Sequence, residues 1–300
     1  MSQFVRHRTV TELSRYMGFG EPEHPLITII DVSRLAYGPE AVGVKFTSDL
    51  YCIALKDSSC GMDYGRNSYD FDGGVLIFTA RDQVITLSRP QALGERQGWM
   101  LYLHPDLVRG LPLGDRMDGF SFFSYDVHEA LHLSGKEQQM ATACVDTIRQ
   151  ELEQRIDGHS RKVIVSAIEL LLNYSSRFYE RQFHTRSTQS RDVVSTVERL
   201  LKDYYNEGGF VASGPPSIAY LASACALSPS YLSDLLRNET GRSAKDHIND
   251  FIVEKAKDLL LSTNEPVSGI AYTLGFNYPH YFSRLFKSRT GVTPKDFRNN

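Results

Sequence analysis

The stretch SPSYLSDLLRNETGRSAKD, which starts at Ser228, returns as YPHYFSRLFKSRTGVTPKD, which starts at Tyr278. At a constant offset of 50 residues, Pro229/Pro279, Tyr231/Tyr281, Ser233/Ser283, Leu235/Leu285, Thr240/Thr290, Gly241/Gly291, Lys245/Lys295 and Asp246/Asp296 are identical. Two copies are too few for a solenoid, in which each repeat buries its face against neighbours on both sides. The C-terminal third is therefore expected to be one globular unit built on a duplicated module.

Each copy reads as a short helix, a tight turn and a second helix. In the first, Ile218, Leu221 and Ala222 form the inner face of the leading helix. Ser228 caps the next helix, and Pro229 sits in its first turn, where a missing N–H is harmless. In the second, Ile270, Ala271 and Leu274 are the inner face, Gly275 supplies the turn and Pro279 heads the following helix. Ala222 and Ala271 let the paired helices approach closely. Leu232, Leu235 and Leu236, and in the second copy Phe282, Leu285 and Phe286, bury the second helices.

The outward positions carry the chemistry. The second copy presents His280, Ser283, Arg284 and Lys287, donors suited to base edges and phosphates, with Arg284 able to reach guanine O6 and N7 together. Arg289 is expected to join them as a phosphate contact. The first copy offers Ser230, Ser233, Asp234 and Arg237, a shorter and partly acidic face, with Asp234 accepting from a cytosine amine or repelling wrong registers. From about Ile248 to Ser262 the pattern is helical. That is a connector of roughly 22 Å, suited to setting two recognition helices in successive major grooves of double-stranded DNA.

The whole chain carries a net charge of −3, yet from Tyr278 onward it has five cations, Arg284, Lys287, Arg289, Lys295 and Arg298, against the single anion Asp296. One end is locally basic. An apolar share of 41% with 23% charged residues, and no uncharged apolar run near twenty residues, predict a cytoplasmic protein that neither spans nor binds a membrane. Cys52, Cys60, Cys144 and Cys225 show no C-x-x-C spacing and read as small buried hydrophobes.

Between residues 26 and about 103, short β-favouring runs (LITIID, AVGVKF, LYCIAL, GVLIFTA, QVITL, WMLYL) alternate with turn-rich pieces, which predicts a small antiparallel sandwich or barrel. After Pro105 the texture turns helical. Val145, Ile148, Leu152 and Ile156 follow steps of three and four, as do Ile164, Ile168, Leu171, Tyr174 and Phe178. These read as two amphipathic helices broken at Asp157-Gly158, and either stripe is a candidate dimer seam. Arg181–Asp192 is polar and reads as a linker.

One motif points elsewhere. HEALH, His128 to His132, spells H-E-x-x-H, in which two histidines on one helix face bind zinc and the glutamate polarises a metal-bound water. Ser134 and Glu137 form a capping box that starts a new helix where the zinc helix would have to continue, and no third ligand follows at a suitable spacing. The expectation is an ordinary polar stretch. A metal-dependent hydrolase is the alternative reading, and no metal, cofactor or catalytic residue is assigned.

GIAYTLGFNYPHYFSRLFKSRTGVTPKDFR, Gly269 to Arg298, resembles the C-terminal signature of the AraC/XylS-type transcription regulators. Ile270, Ala271, Gly275, Phe276, Tyr281, Phe282, Phe286, Lys287, Gly291, Pro294 and Arg298 stand in matching places. Ile252 departs from the arginine usual in the connecting helix. YDFDGGVLIFTARDQVITL, Tyr69 to Leu87, resembles the cupin-like sensor domains of such regulators, without the histidine pair of catalytic cupins. The resemblance implies an α+β two-domain chain: a cupin-like small antiparallel β-barrel (1–110), a helical connection and dimerisation region (111–185), and an all-α double helix-turn-helix DNA-binding domain (186–300). The two units of that domain fall at about 217–241 and 266–291. It also implies a homodimer, RNA polymerase as a partner, a small-molecule effector, and a regulator and not an enzyme. On residue type alone, Tyr51, Tyr64, Arg66 and Trp99 of the barrel are candidate effector contacts and equally candidate core or surface, and a DNA binder without an effector is a further alternative reading.

Overall fold

The computed structural model describes residues 4–36, 38–56, 74–86, 93–94, 97–126, 129–155 and 157–299. The chain divides into two compact units, Met1–Thr185 and Arg186–Asn300.

The first unit begins with strand β1 (Phe4–His7), helix α1 (Val10–Tyr16), and strands β2 (Ile27–Asp31), β3 (Lys45–Ser48), β4 (Tyr51–Lys56), β5 (Gly74–Thr79), β6 (Ile85–Thr86) and β7 (Gly98–Leu103). A short helix α2 (Pro112–Arg116) and strand β8 (Leu131–Leu133) follow, then helices α3 (Gly135–Glu153) and α4 (Ser160–Thr185). The larger sheet has the order β2-β7-β4-β5-β8 and is antiparallel throughout.

Alternation along its strands sorts the side chains into two packed layers. Tyr51, Ile53 and Leu55 share a face with Trp99, Leu101, Leu103 and Phe78, since Tyr51 pairs with Leu103, Ile53 with Leu101 and Phe78, and Leu55 with Trp99. This face meets the helical side of the unit. Phe78 lies 4.3 Å from Phe122, and Tyr51 lies 5.1 Å from Phe123, centroid to centroid. The Trp99 indole N–H donates to the Thr142 hydroxyl of α3 at 3.2 Å. Cys52, Ala54 and Tyr102 face the other way, into a cluster with Val10 and Leu13 of α1 and Leu50. Each fully buried aliphatic here contributes about 1.5–3 kcal/mol relative to its exposed state.

The expectation of a closed, purely antiparallel barrel is corrected. Among the described residues the strands form two open sheets, and in the smaller one, β1-β3-β6, strands β1 and β3 run parallel. The helical turn that permits a parallel crossover is α1, which lies ahead of the β-favouring runs. Closure is also blocked at β8. The Gln182 side chain of α4 accepts from the His132 N–H at 2.8 Å and donates to the Ala130 carbonyl at 3.2 Å. Arg181 donates to the His132 carbonyl at 2.6 Å. An amide and a guanidinium thus take the place of the next strand.

Helix α3 starts at the expected capping box: Ser134 Oγ accepts from Glu137 N–H, and the Glu137 carboxylate accepts from Ser134 N–H at 2.8 Å. Its buried stripe includes Val145, Ile148 and Leu152, while Ile156 lies outside the described residues. Residues 181–192 are not an extended linker. Helix α4 runs to Thr185 and the next helix starts at Ser187, in keeping with a stretch that contains neither glycine nor proline.

The second unit is all helical: α5 (Ser187–Asn206), α6 (Gly209–Ser213), α7 (Ile218–Ala224), α8 (Pro229–Thr240), α9 (Ala244–Ser262), α10 (Val267–Thr273), α11 (Pro279–Thr290) and α12 (Pro294–Asn299). One core gathers Leu201, Phe210, Leu232, Ile252, Phe282 and Phe286. Ile252 is 1% exposed, so the departure from arginine at this position serves packing.

Candidate nucleic-acid interface

The duplication in sequence is a duplication in structure. Helices α7 and α8 form one helix-turn-helix, and α10 and α11 the other. In both, an alanine carbonyl closes the turn: Ala222 accepts from Leu227 N–H and Ala271 from Phe276 N–H, each at 2.9 Å. In both, a residue with positive φ makes the bend, Ala226 at 54° and Gly275 at 80°. Glycine is required at 275, because a Cβ there would meet the Phe210 carbonyl oxygen at 2.5 Å and Gly214 Cα at 2.7 Å. Both second helices end on a left-handed glycine, Gly241 and Gly291. The joints that follow also correspond: Ser243 and Asp246 make a capping box for α9, and at α12 the Thr293 hydroxyl accepts from Asp296 N–H and donates to its carboxylate.

That capping box starts the connecting helix at Ala244, four residues ahead of the expected start. Its 19 residues make a rod of about 28 Å.

On α11, His280, Arg284 and Lys287 are exposed and Ser283 is half-buried. Ser283 Oγ donates back to the Pro279 carbonyl at 3.1 Å. The Arg284 guanidinium lies 5.5 Å from the centroid of the Tyr281 ring. Tyr278 and Tyr281 are 62% and 52% exposed, and His280 and Tyr281 are 4.1 Å apart, so the helix opens with an exposed aromatic cluster. Sequence reasoning passed over both tyrosines as outward-facing groups. The available signal was that His280, Ser283, Arg284 and Lys287 leave Tyr281 on the same side of an α-helix. Such a face supplies donors for base edges, cations for phosphates and ring surface for thymine methyls or sugars.

On α8, Arg237 is exposed and its guanidinium pairs with Asp234 at 2.7 Å. Ser230 and Ser233 are half-buried. The two charges sit one turn apart and offset each other, so this face carries little net charge.

Arg289 does not stand with the other outward cations. Its guanidinium donates to Asp246 and lies 3.5 Å from Asp250, both on α9, while Arg242 holds Asp250 from the other side at 2.9 Å. The Ser243 hydroxyl, and then the Arg289 guanidinium, hold the Asp246 carboxyl well below the usual carboxylate range.

The effector candidates separate. Tyr51 and Trp99 are buried on the helix-facing side of the larger sheet, packed as described above, and Tyr64 and Arg66 lie outside the described residues. HEALH loses its zinc geometry. Leu131–Leu133 is strand β8, so the i, i+4 helix face is not formed, and His128 lies outside the described residues. Glu129 is 2% exposed and its carboxylate accepts from Asp126 N–H at 2.7 Å. Among the described residues no group of three or more His, Cys, Asp or Glu side chains is placed to hold a metal. Burial pushes the Cys52 thiol up to about 12, the reverse of what a redox thiolate needs, and Cys60 lies outside the described residues.

The second unit is thus a double helix-turn-helix on a single core. Residues 221–300 match a family described as a helix-turn-helix domain. The chain is 41% identical over 141 residues to the arabinose operon regulatory protein of Escherichia coli, covering 47% of this chain and 46% of that protein. It is 31% identical over 141 residues to the HTH-type transcriptional regulator YfiF of Bacillus subtilis, covering 47% and 41%. The match spans about half the length of these curated relatives. Among solved structures, the C-terminal domain of the response regulator AraT from Geobacillus stearothermophilus is 32% identical, with 34% of this chain and 84% of that one covered and a TM-score of 0.30. The helix-turn-helix match and the two sequence relatives support the AraC/XylS resemblance of the C-terminal part. Among the described residues, no helix is long and apolar enough to cross a membrane.

Proposed function

We propose that the protein is a sequence-specific regulator of transcription of the AraC/XylS type, acting in the cytoplasm on double-stranded DNA. The observation that carries this reading is the duplicated helix-turn-helix, whose second recognition helix leaves Arg284, Lys287 and an aromatic cluster open to solvent. The helix α9 between the two helix-turn-helix copies is about 28 Å long, against about 34 Å for one turn of DNA, so each chain reads two short elements on one face of the duplex. Ser230, Ser233, Asp234 and Arg237 belong to the weaker reader; His280, Ser283, Arg284 and Lys287 belong to the stronger.

The first unit is the sensor in this proposal, cupin-like in role, binding a small effector and joining two chains into a homodimer, with RNA polymerase as the further partner. In this reading the chain acts by binding and not by catalysis. The test is selection of genomic fragments by the purified protein, followed by gel shifts at increasing salt. The expected result is a motif of two elements about one helical turn apart, bound with an affinity that falls steeply with salt as counterions return to the phosphates. Absence of enrichment over random DNA, with and without candidate small molecules, sinks the proposal.

A further inference from the structure

The acidic pair Asp246 and Asp250 lies four residues apart on α9, a spacing at which like charges repel on a helix. Two arginines from outside the helix meet this pair. Arg242 comes from the turn before α9, and Arg289 comes from the last turn of α11, 43 residues further along the chain than Asp246. The two oxygens of Asp246 are divided between two tasks: Oδ2 closes the α9 capping box with Ser243, and Oδ1 accepts from Arg289. The repeat lacks this arrangement in its first copy, because the residue at the position of Arg289 is Glu239. The clamp therefore belongs to the join between the copies and not to the module itself.

We infer that Arg289 is a positioning residue that ties the C-terminal end of the second recognition helix to the start of the connecting helix, and so fixes the separation at which α8 and α11 meet DNA. This rests on the DNA-binding reading above. It removes Arg289 from the phosphate contacts, since a guanidinium between two carboxylates has little charge left to offer. It also predicts a division of labour: Lys287, two residues earlier on α11 and so on the opposite side of the helix, and exposed, holds phosphate, whereas Arg289 holds geometry.

The test uses the full chain and three duplexes: the selected two-element site, a site carrying one element, and the two-element site with one base pair inserted between the elements. Arg289→Gln is expected to weaken the two-element site about three- to fivefold, the upper end of the range for an exposed ion pair, and to leave the one-element site within about twofold. It should also narrow the difference between the correct and the lengthened spacing. The salt slope should not change, whereas Lys287→Ala should lower it by about one. Asp246→Asn removes the carboxylate that accepts from Arg289 without touching an outward position of either recognition helix, and it is expected to weaken the two-element site by a similar factor while leaving the one-element site within about twofold.

Equal loss on one-element and two-element DNA, a lowered salt slope for Arg289→Gln, or an unchanged two-element site in Asp246→Asn would each overturn the inference. A melting curve of each variant without DNA keeps folding apart from binding. Arg289→Gln and Asp246→Asn that destabilise additively would show that the two residues are not coupled, and would overturn it independently of DNA. Absence of any sequence preference in the unaltered chain is a different failure, that of the regulator reading, and takes the positioning role with it.

Discussion

The two helix-turn-helix copies share sequence at eight positions and share their joints, yet the same tyrosine is 5% exposed in one and 52% exposed in the other. Tyr231 sits on α8, which packs against two long helices, α5 and α9. Tyr281 sits on α11, whose neighbours include α9 and the six-residue α12. The bend is made by alanine at positive φ in the first copy and by glycine pressed against α6 in the second. The outward charges cancel on α8 and stand open on α11. A duplicated module thus keeps its internal hydrogen bonds, while the surroundings decide which residues become core and which become surface.

The largest test of this comparison lies in the tyrosines. Tyr231→Ala should destabilise the second unit by about 3 kcal/mol, as deletion of a buried aromatic does, whereas Tyr281→Ala should change its melting by less than about 0.5 kcal/mol and show up in DNA affinity instead. Equal melting shifts for the two would erase the contrast. Next come the bends. Gly275→Ala forces both a positive φ and a clash with the Phe210 carbonyl, and should cost about 2–3 kcal/mol. Ala226→Gly relieves strain and loosens the unfolded chain in opposing amounts, so calorimetry should find a change of less than about 1 kcal/mol.

A third contrast concerns binding. Arg284→Ala should weaken the preferred site by about 1–3 kcal/mol and blur one base position, while Lys287→Ala weakens all sequences alike. Arg237→Ala should do less, because its partner Asp234 is already within 2.7 Å. Gel shifts on specific and random DNA decide it, and an equal loss on both for Arg284→Ala removes the base contact. The smallest effect is acid dependence. The Asp246 carboxyl is held below its unfolded value, so its stabilisation is complete above the unfolded value of about 3.9 and is lost as pH falls through and below it. Melting temperature plotted against pH should decline less steeply below about pH 4 in Asp246→Asn than in the unaltered chain.

The repeat made the second unit legible, because Ser228, Pro229, Pro279, Gly241 and Gly291 act within a few residues of where they sit, and local hydrogen bonds follow local sequence. The ion pairs of Arg289 were not legible for the opposite reason. Its partners lie about 40 residues back on another helix, and exposed basic residues look alike until the chain is folded. The start of α9 was missed by four residues because the hydrophobic stripe begins only at Ile248, although the Ser243 and Asp246 spacing marks it. In the first unit, β-favouring runs bounded by turn-rich pieces identified β4, β5 and β7, which are buried on both faces, but they said nothing about closure. Closure depends on Gln182 and Arg181, which lie some fifty residues beyond the strand edge they cover.

One consequence follows from the joints themselves. Between the alanine whose carbonyl closes the turn and the left-handed glycine that ends the second helix, the second copy is one residue longer than the first, with Asn277 and Tyr278 standing where the first has Ser228 alone. An exchange of reading heads between related chains should therefore cut at Ala222 and Gly241, or at Ala271 and Gly291, and carry the turn along with the helix. A graft of α8 or α11 alone would import a helix whose rotational phase was set by a turn left behind, and would present a different stripe of side chains to the duplex.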